Sequence, residues 1–473
     1  MSDVIFTRPF LSHEEMYDVL SFAGPTEPSL GLCYLAAVTR QAGFATEILD
    51  ALPLKLGNRR LAEMILSKRP KYVGISAVTI SVSNAAELAR EIKQKDPDIT
   101  VILGGVHVTA LPQETMKRFP VFDAAVLGEG EETVVEILSA LEKKRDLREV
   151  AGLALRDSDG SVFLTRQREF IRDLDRLPMP AWDLLPEIKR FYRAPAWTLS
   201  YEPSGLLILT RGCSAQCIYC DRGAFGDRVR AHSAEYALKL IKDLYHNYGI
   251  RLFRILDDNF MLNRTRLKDL CNLIVESGLK IEWTCFARAD HVNPEILSLM
   301  CRAGCRQISY GVETGSQELH DLEHKNITLE TIERGIRWTK EAGMRTVGFV
   351  MIGHPEETKD TIEETVRFCG RLALDDFKMM YLTPYPATQL YREAEKYGTL
   401  NRDWKSMNAY KYPCFVPYGL TGREIVRYRS IAYRRFYLRP KIIIAYLKQL
   451  KRPKQFFVFL RGAFGLLRMW LTK

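Results

Sequence analysis

Short β-rich apolar runs alternate with stretches of helical period over most of the chain. In residues 1–141 the runs are Ala45–Leu49, Tyr72–Ala77, Thr100–Leu103 and Ala124–Leu127. That alternation predicts a parallel sheet with helices on both faces, a Rossmann-like domain. Its runs lead into Ser76–Thr79, Gly104–His107 and Gly128–Glu131, where an open α/β sheet has its ligand crevice and glycine lets a backbone approach a bulky ligand. Plain strand-to-helix turns would read the same way. Residues 142–200 are less regular, with a hairpin turn at Asp157–Gly160 and an extended connector at Leu177–Pro180, and read as a linker with a small excursion. Alternation resumes in residues 201–399. The expected strands are Leu206–Leu209, Leu252–Leu256, Ile281–Cys285, Gln307–Tyr310, Thr346–Met351 and Phe377–Leu382, with helices over Ser233–Asn247, Arg264–Ser277, Pro294–Ala303, Thr328–Ala342 and Lys359–Leu372. Six β/α units predict an open partial barrel with its chemistry at the carboxyl ends of the strands. In residues 400–473 the pattern gives way to basic helical segments, Arg423–Tyr437 and Lys441–Leu450.

Charge changes this picture at one end only. The 473 residues carry a formal +10, but residues 421–473 hold 14 Lys/Arg against Glu424 alone, a net +13, leaving the rest at −3. The basicity belongs to the tail and not to the body, and nucleic acid is not an expected partner of either. The tail, with Phe456–Leu460 and Ala463–Leu471 among its cations, has no uncharged run of bilayer length. It reads equally as a basic amphipathic surface for an anionic membrane and as a helical cap on the barrel. Met1 is followed by acidic and polar residues and lacks a basic segment leading to an apolar one, so the expected location is cytoplasmic, peripheral to the inner membrane face if 421–473 meets a membrane. Ten cysteines without a secretory signal are too sparse for a disulfide framework and are expected as thiols.

Three of those thiols lie close together. Directly after the first strand of the second domain comes Thr210–Arg211–Gly212–Cys213–Ser214–Ala215–Gln216–Cys217–Ile218–Tyr219–Cys220. Thiolates are the ligands of iron–sulfur clusters, and three of them can wrap one face of a cubane, leaving one iron open to a substrate. A zinc knuckle is the alternative, but it wants a fourth Cys or His, and the nearest histidine, His232, lies beyond a loop at a helix start. Cys271, Cys301, Cys305 and Cys369 fall on predicted helices or their ends and Cys285 on a strand, as core residues do.

Cys-x3-Cys-x2-Cys after strand one of a six-unit barrel resembles the signature of the radical S-adenosylmethionine superfamily. The resemblance implies a 4Fe–4S cluster on Cys213, Cys217 and Cys220 whose open iron binds S-adenosylmethionine and breaks its sulfur–carbon bond. It implies further that Tyr219 packs near the adenine and that Asp257 and Asp258 meet the methionine amino group. Glu313 would engage the bound S-adenosylmethionine. Gly348, Met351 and Gly353, with Glu356 beyond, would line the adenine, and Tyr381 and Leu382 would give a backbone contact. Arg288, after strand three, is placed where a cation could neutralise the substrate carboxylate.

The segment Pro28–Ala37, with Leu30 and Gly31, followed by Gly43 and Asp50, is similar to the cobalamin-binding domain of one radical subclass. Ser76, Thr79, Gly104, Gly105, Gly128, Glu129 and Gly130 strengthen the likeness and are the implied cobalamin contacts. One departure is Asp50–Ala51–Leu52–Pro53–Leu54–Lys55, which has Leu52 where a lower-ligand histidine would stand, so this loop offers cobalt no imidazole. His107, at another strand end, reads as a hydrogen-bonded loop residue. The subclass methylates unactivated carbons through a deoxyadenosyl radical and methylcobalamin, and it also resembles the anaerobic oxidative cyclase of chlorophyll precursors. The implied partners are a small-molecule substrate, lipid-like or isoprenoid if the tail meets a membrane, and a one-electron donor such as flavodoxin or ferredoxin. A radical methylthiolase should carry three further cysteines before the barrel, whereas only Cys33 precedes Cys213.

Overall fold

The computed structural model describes residues 2–18, 21, 24–195, 198 and 203–449. The chain forms two compact units, one of residues 1–12, 28–191 and 221–230 and the other of residues 13–27, 192–220 and 231–473.

In the first unit five parallel strands, β1 (Val4–Arg8), β2 (Thr46–Asp50), β3 (Tyr72–Ser76), β4 (Thr100–Gly104) and β5 (Ala124–Val126), lie in the order β2-β1-β3-β4-β5. Helices Leu30–Gln41, Asn58–Ser67, Val82–Lys95 and Gly130–Glu142 carry apolar stripes that meet the sheet, so most strand residues are buried on both faces. Strand β1 was not expected from the sequence: its apolar run is short and stops at Thr7 and Arg8. Val4, Ile5 and Phe6 are nevertheless core residues, and Gly74 on β3 leaves room for the Phe6 ring, whose nearest atom would lie 2.6 Å from a Cβ there. The segment read as a linker extends this sheet instead. Strand β6 (Leu153–Arg156) adds antiparallel to β5, and β7 (Val162–Leu164) antiparallel to β6 around the Asp157–Gly160 turn, which is closed by a bond from Gly160 N–H to Asp157 O at 2.9 Å.

In the second unit six parallel strands run in sequence order: β8 (Ser204–Leu207), β9 (Leu252–Ile255), β10 (Glu282–Ala287), β11 (Cys305–Glu313), β12 (Arg345–Ile352) and β13 (Asp376–Tyr381). Connecting helices begin at hydroxyl or amide caps. Ser233, Asn263, Asn293, Thr328 and Thr358 each accept an N–H three residues on. The sheet is concave. Phe286 on β10 and Phe349 on β12 are separated by a whole strand, yet their ring centroids lie 5.2 Å apart, closer than two strand spacings of a flat sheet. Glycine allows one close approach on the outer side: a Cβ on Gly315, beyond β11, would sit 2.6 Å from Thr365 Cα in helix Lys359–Arg371.

The basic region divides. Helix Gly422–Tyr437 uses its apolar face as a cap on β13, with Phe436 stacked on Phe377 at 5.1 Å and the Tyr433 hydroxyl accepting Met379 N–H at 3.1 Å. Helix Pro440–Gln449 leaves Ile443, Ile444 and Leu447 exposed beside Lys441. The apolar segments expected at Phe456–Leu460 and Ala463–Leu471 lie outside the described residues. No helix among the described residues is long and apolar enough to cross a membrane.

Candidate active site

The three clustered cysteines sit on the loop after β8, and carboxylates behind it hold its approach. Asp257 accepts Leu209 N–H at 2.6 Å and Asp258 accepts Gly212 N–H at 2.9 Å. Gly212 has φ +88°, a left-handed conformation that glycine adopts without strain. Cys220 N–H closes a turn onto Cys217 O at 3.1 Å. Ile218 N–H donates to Glu323 O at 3.2 Å, and Leu390 N–H donates to Ile218 O at 2.9 Å. Cys217 is buried, Cys213 partly buried and Cys220 exposed. Among the described residues no three Cys, His, Asp or Glu side chains converge on one point as a single ion would require. A cubane presents separate iron corners, so its thiolates need not converge. Burial pushes the Cys217 thiol up, so bound iron is what would hold it as thiolate.

The residues expected beyond the loop divide by the direction of their side chains. Tyr219 and Met351 pack with Ile218 and Leu382 in one apolar cluster under the loop. The Tyr219 hydroxyl is buried beside the Cys217 thiol, and burial raises its pKa. Asp257 turns onto the backbone. It is 5% exposed and bonded to backbone, and desolvation, partly offset by the Leu209 N–H and Arg266, raises its pKa to about 7. Asp258 remains exposed. Arg288 is engaged by Asp290 through Nε and Nη2 at 3.1 and 2.9 Å and by Lys325 O at 2.9 Å, so much of its charge is already answered. Gly348 faces the helices, since a Cβ there would meet Leu374 at 2.7 Å; it is a packing glycine and not an adenine contact. The Tyr381 and Leu382 N–H groups are spent on Ala409 O and Ile352 O, at 2.8 and 2.9 Å, which leaves no backbone donor there for a ligand.

Behind Tyr219 lies an ionic network that the sequence did not reveal. Glu313, at φ +59°, pairs with buried Lys325 at 2.6 Å. His354 Nδ1 meets Glu323 Oε1 at 2.6 Å, both side chains fully buried. Glu357 Oε2 accepts the Gly353 and His354 N–H groups. The carboxylate that turns back onto the end of β12 is therefore Glu357, while Glu356 is exposed at φ +59°. Burial alone would lower the His354 pKa, but Glu323 at contact distance outweighs it and raises the value to about 9. Desolvation raises Glu357 to about 7 despite His354 and the two N–H groups.

In the first unit the strand ends form a second candidate site. Val78 and Val106, after β3 and β4, are exposed at 49% and 42%, and the Cβ positions of Gly31, Gly104 and Gly128 open onto free space. Gly105 (φ +102°) is needed by the fold, because a Cβ would lie 2.6 Å from Ala77 O and 3.1 Å from Ser76 Oγ. Thr79 Oγ1 lies 3.3 Å from Nδ1 of buried His107, whose pKa burial lowers to about 4. Leu30 is a core residue, and a Cβ on Gly130 would lie 3.1 Å from Leu35. Glu129 is a structural anchor and not an available contact: its carboxylate takes Arg230 Nη1 at 2.8 Å and Ile171 N–H at 2.7 Å. Asp50 is likewise closed onto Arg8, at 2.7 and 2.9 Å, and Leu52 is buried. Open glycines beside exposed valines suit a large apolar-faced ring such as a corrin, with no imidazole supplied from the Asp50 loop.

A model of the radical SAM superfamily matches residues 207–369, and a model of the B12 binding domain matches residues 18–138. The chain is 33% identical to an uncharacterized methyltransferase of Pyrococcus horikoshii over 94% of this chain and 95% of that protein. It is 28% identical to the anaerobic magnesium-protoporphyrin IX monomethyl ester cyclase of Cereibacter sphaeroides, over 87% of this chain and 67% of that protein. Its fold is shared with OxsB, a cobalamin-dependent S-adenosylmethionine radical enzyme, at TM-score 0.77 and 17% identity over 99% of this chain and 72% of that one. The methyltransferase TsrM of Kitasatospora setae gives TM-score 0.68 and 20% identity over 84% of this chain and 75% of that one.

The His354 pair sets a pH dependence. A folded-state pKa raised from 6.5 to about 9 means that the imidazolium stabilises the fold fully below pH 6.5 and ceases to do so as pH rises through 9. Denaturant titrations of the wild type should lose up to about 3 kcal/mol across that window, and His354→Gln should lose this component. An equal fall in the variant would contradict the pairing.

Proposed function

We propose that this chain, which belongs to the cobalamin-binding branch of the radical S-adenosylmethionine superfamily, transfers a methyl group to an unactivated carbon of an apolar, lipid-like small molecule. The observation that carries this reading is a three-thiol loop in a chain similar to a methyltransferase over nearly the full length of both. Bound cluster and S-adenosylmethionine would supply a carbon-centred radical, and cobalamin a methyl donor. Cys213, Cys217 and Cys220 would hold the iron while Tyr219, Met351 and Leu382 form an apolar floor that excludes water. Lys325 would fix the Glu313 carboxylate at the end of β11. In the first unit, Gly104, Gly128, Val78 and Val106 would face the corrin. A one-electron donor of the flavodoxin or ferredoxin type would reduce the cluster.

Oxidative cyclisation is the second reading, favoured by the likeness to the magnesium-protoporphyrin cyclase. Methyl-labelled S-adenosylmethionine separates the two. Incubated with reconstituted enzyme, reductant and anaerobic lipid and pigment extracts, it should leave label in an organic-soluble product. Unlabelled product formed with 5′-deoxyadenosine would instead favour cyclisation.

An apolar substrate would be met at a membrane. Exposed Leu438, Ile443, Ile444 and Leu447 beside Lys441, in a region of net +13, support an anionic bilayer surface as that place. The protein should float with vesicles containing phosphatidylglycerol and not with neutral ones, and the I443S/I444S/L447S variant should bind them more weakly by about tenfold or more. Absence of wild-type binding would count against this contact.

A further inference from the structure

Asn259 lies in the loop after β9 and is 6% exposed. Its side-chain nitrogen is 3.8 Å from Cys213 Sγ, and its side-chain oxygen is 3.1 Å from His291 Nδ1, in the loop after β10. The chemistry of the three groups fixes the direction of this chain. A ligating thiolate has no proton to give, so the Asn259 amide must donate N–H to sulfur and turn its oxygen, an acceptor only, toward His291. The imidazole must then carry its proton on Nδ1. Burial lowers the His291 pKa from its ordinary 6.5, the neighbouring Asp290 opposing and Arg288 reinforcing the effect. The neutral tautomer with N–H at Nδ1 is therefore sufficient to orient the amide near neutral pH.

We infer that Asn259, oriented by His291, raises the reduction potential of the cluster held through Cys213 by donating N–H to that ligating sulfur. One-electron reduction adds negative charge that the thiolate sulfurs share. A donor at one of them stabilises the reduced cluster more than the oxidised cluster, and hydrogen bonds to sulfur are among the factors that set such potentials. His291 is a positioning residue here, because it reaches the sulfur only through Asn259. The inference rests on the assignment of a cluster to Cys213, Cys217 and Cys220, and is independent of which reaction follows.

The test is a redox titration, followed by electron paramagnetic resonance, of the full chain with its cluster reconstituted and its iron and sulfide measured. Asn259→Ala should lower the ratio of reduced to oxidised cluster at a fixed potential about tenfold, equivalent to about 59 mV for one electron. Asn259→Asp keeps the shape but turns a carboxylate toward the sulfur, and should lower the ratio further. His291→Ala should give a smaller shift in the same direction and none on top of Asn259→Ala. Wild-type midpoints in both Asn259 variants at full iron loading would overturn the inference. A shift by His291→Ala that persists undiminished in the Asn259→Ala background would overturn the orienting role. If Asn259→Ala fails to hold iron, Asn259→Asp and His291→Ala decide by the same criteria. Absence of iron from the wild type itself would instead refute the cluster assignment.

Discussion

The second unit is organised around a contact between fixed charge and backbone. His354 and Glu323 neutralise one another where no water reaches them, and the same Glu323 accepts Ile218 N–H through its carbonyl, between Cys217 and Cys220. Glu357 ties Gly353 and His354 at the end of β12 to the same buried patch. Removing one partner would strand a charge in the interior, which costs several times what the pair gains, so the arrangement has little freedom to relax. The cysteine loop therefore takes its position from residues far away in the sequence, Glu323 at the end of helix Gln317–Leu322 and Leu390 at the start of helix Gln389–Tyr397. Asp257 and Asp258 restrain its approach in the same manner, through Leu209 and Gly212.

This explains a division of labour among carboxylates that would otherwise look redundant. Asp257, Glu323 and Glu357 work on backbone and histidine inside the unit, whereas Glu313 is held by Lys325 at the mouth of β11. Chemistry on a radical needs a site that neither admits water nor shifts as it reacts. Tyr219, Met351 and Leu382 give the proposed site an apolar floor, backed by the buried His354–Glu323 pair.

The six strands of the second unit were legible because each is an apolar run bounded by helical period, and the cysteine spacing was legible because it is local. Side-chain direction was harder. Asp257 is buried and its neighbour Asp258 exposed, and residue type does not say which one turns inward. At Gly348 strand parity could have settled the matter: Phe349 meets Phe286 on the concave side, so its neighbour Gly348 must face the helices. Strand β1 is hard to read from sequence because four of its five residues, Val4 to Thr7, are buried and show no alternation. The His354–Glu323 pair was missed because its partners are 31 residues apart and joined only by the fold. Glu129 was misjudged for a related reason: Arg230, which occupies it, lies 101 residues away.

The proposed chemistry depends on Cys213, Cys217 and Cys220 together holding an iron–sulfur cluster. Iron and sulfide per chain after anaerobic reconstitution test it most directly, with Cys217→Ala set against Cys301→Ala. About four irons are expected in the wild type and in Cys301→Ala, with loss of most of them in Cys217→Ala. Wild-type iron in Cys217→Ala would contradict it.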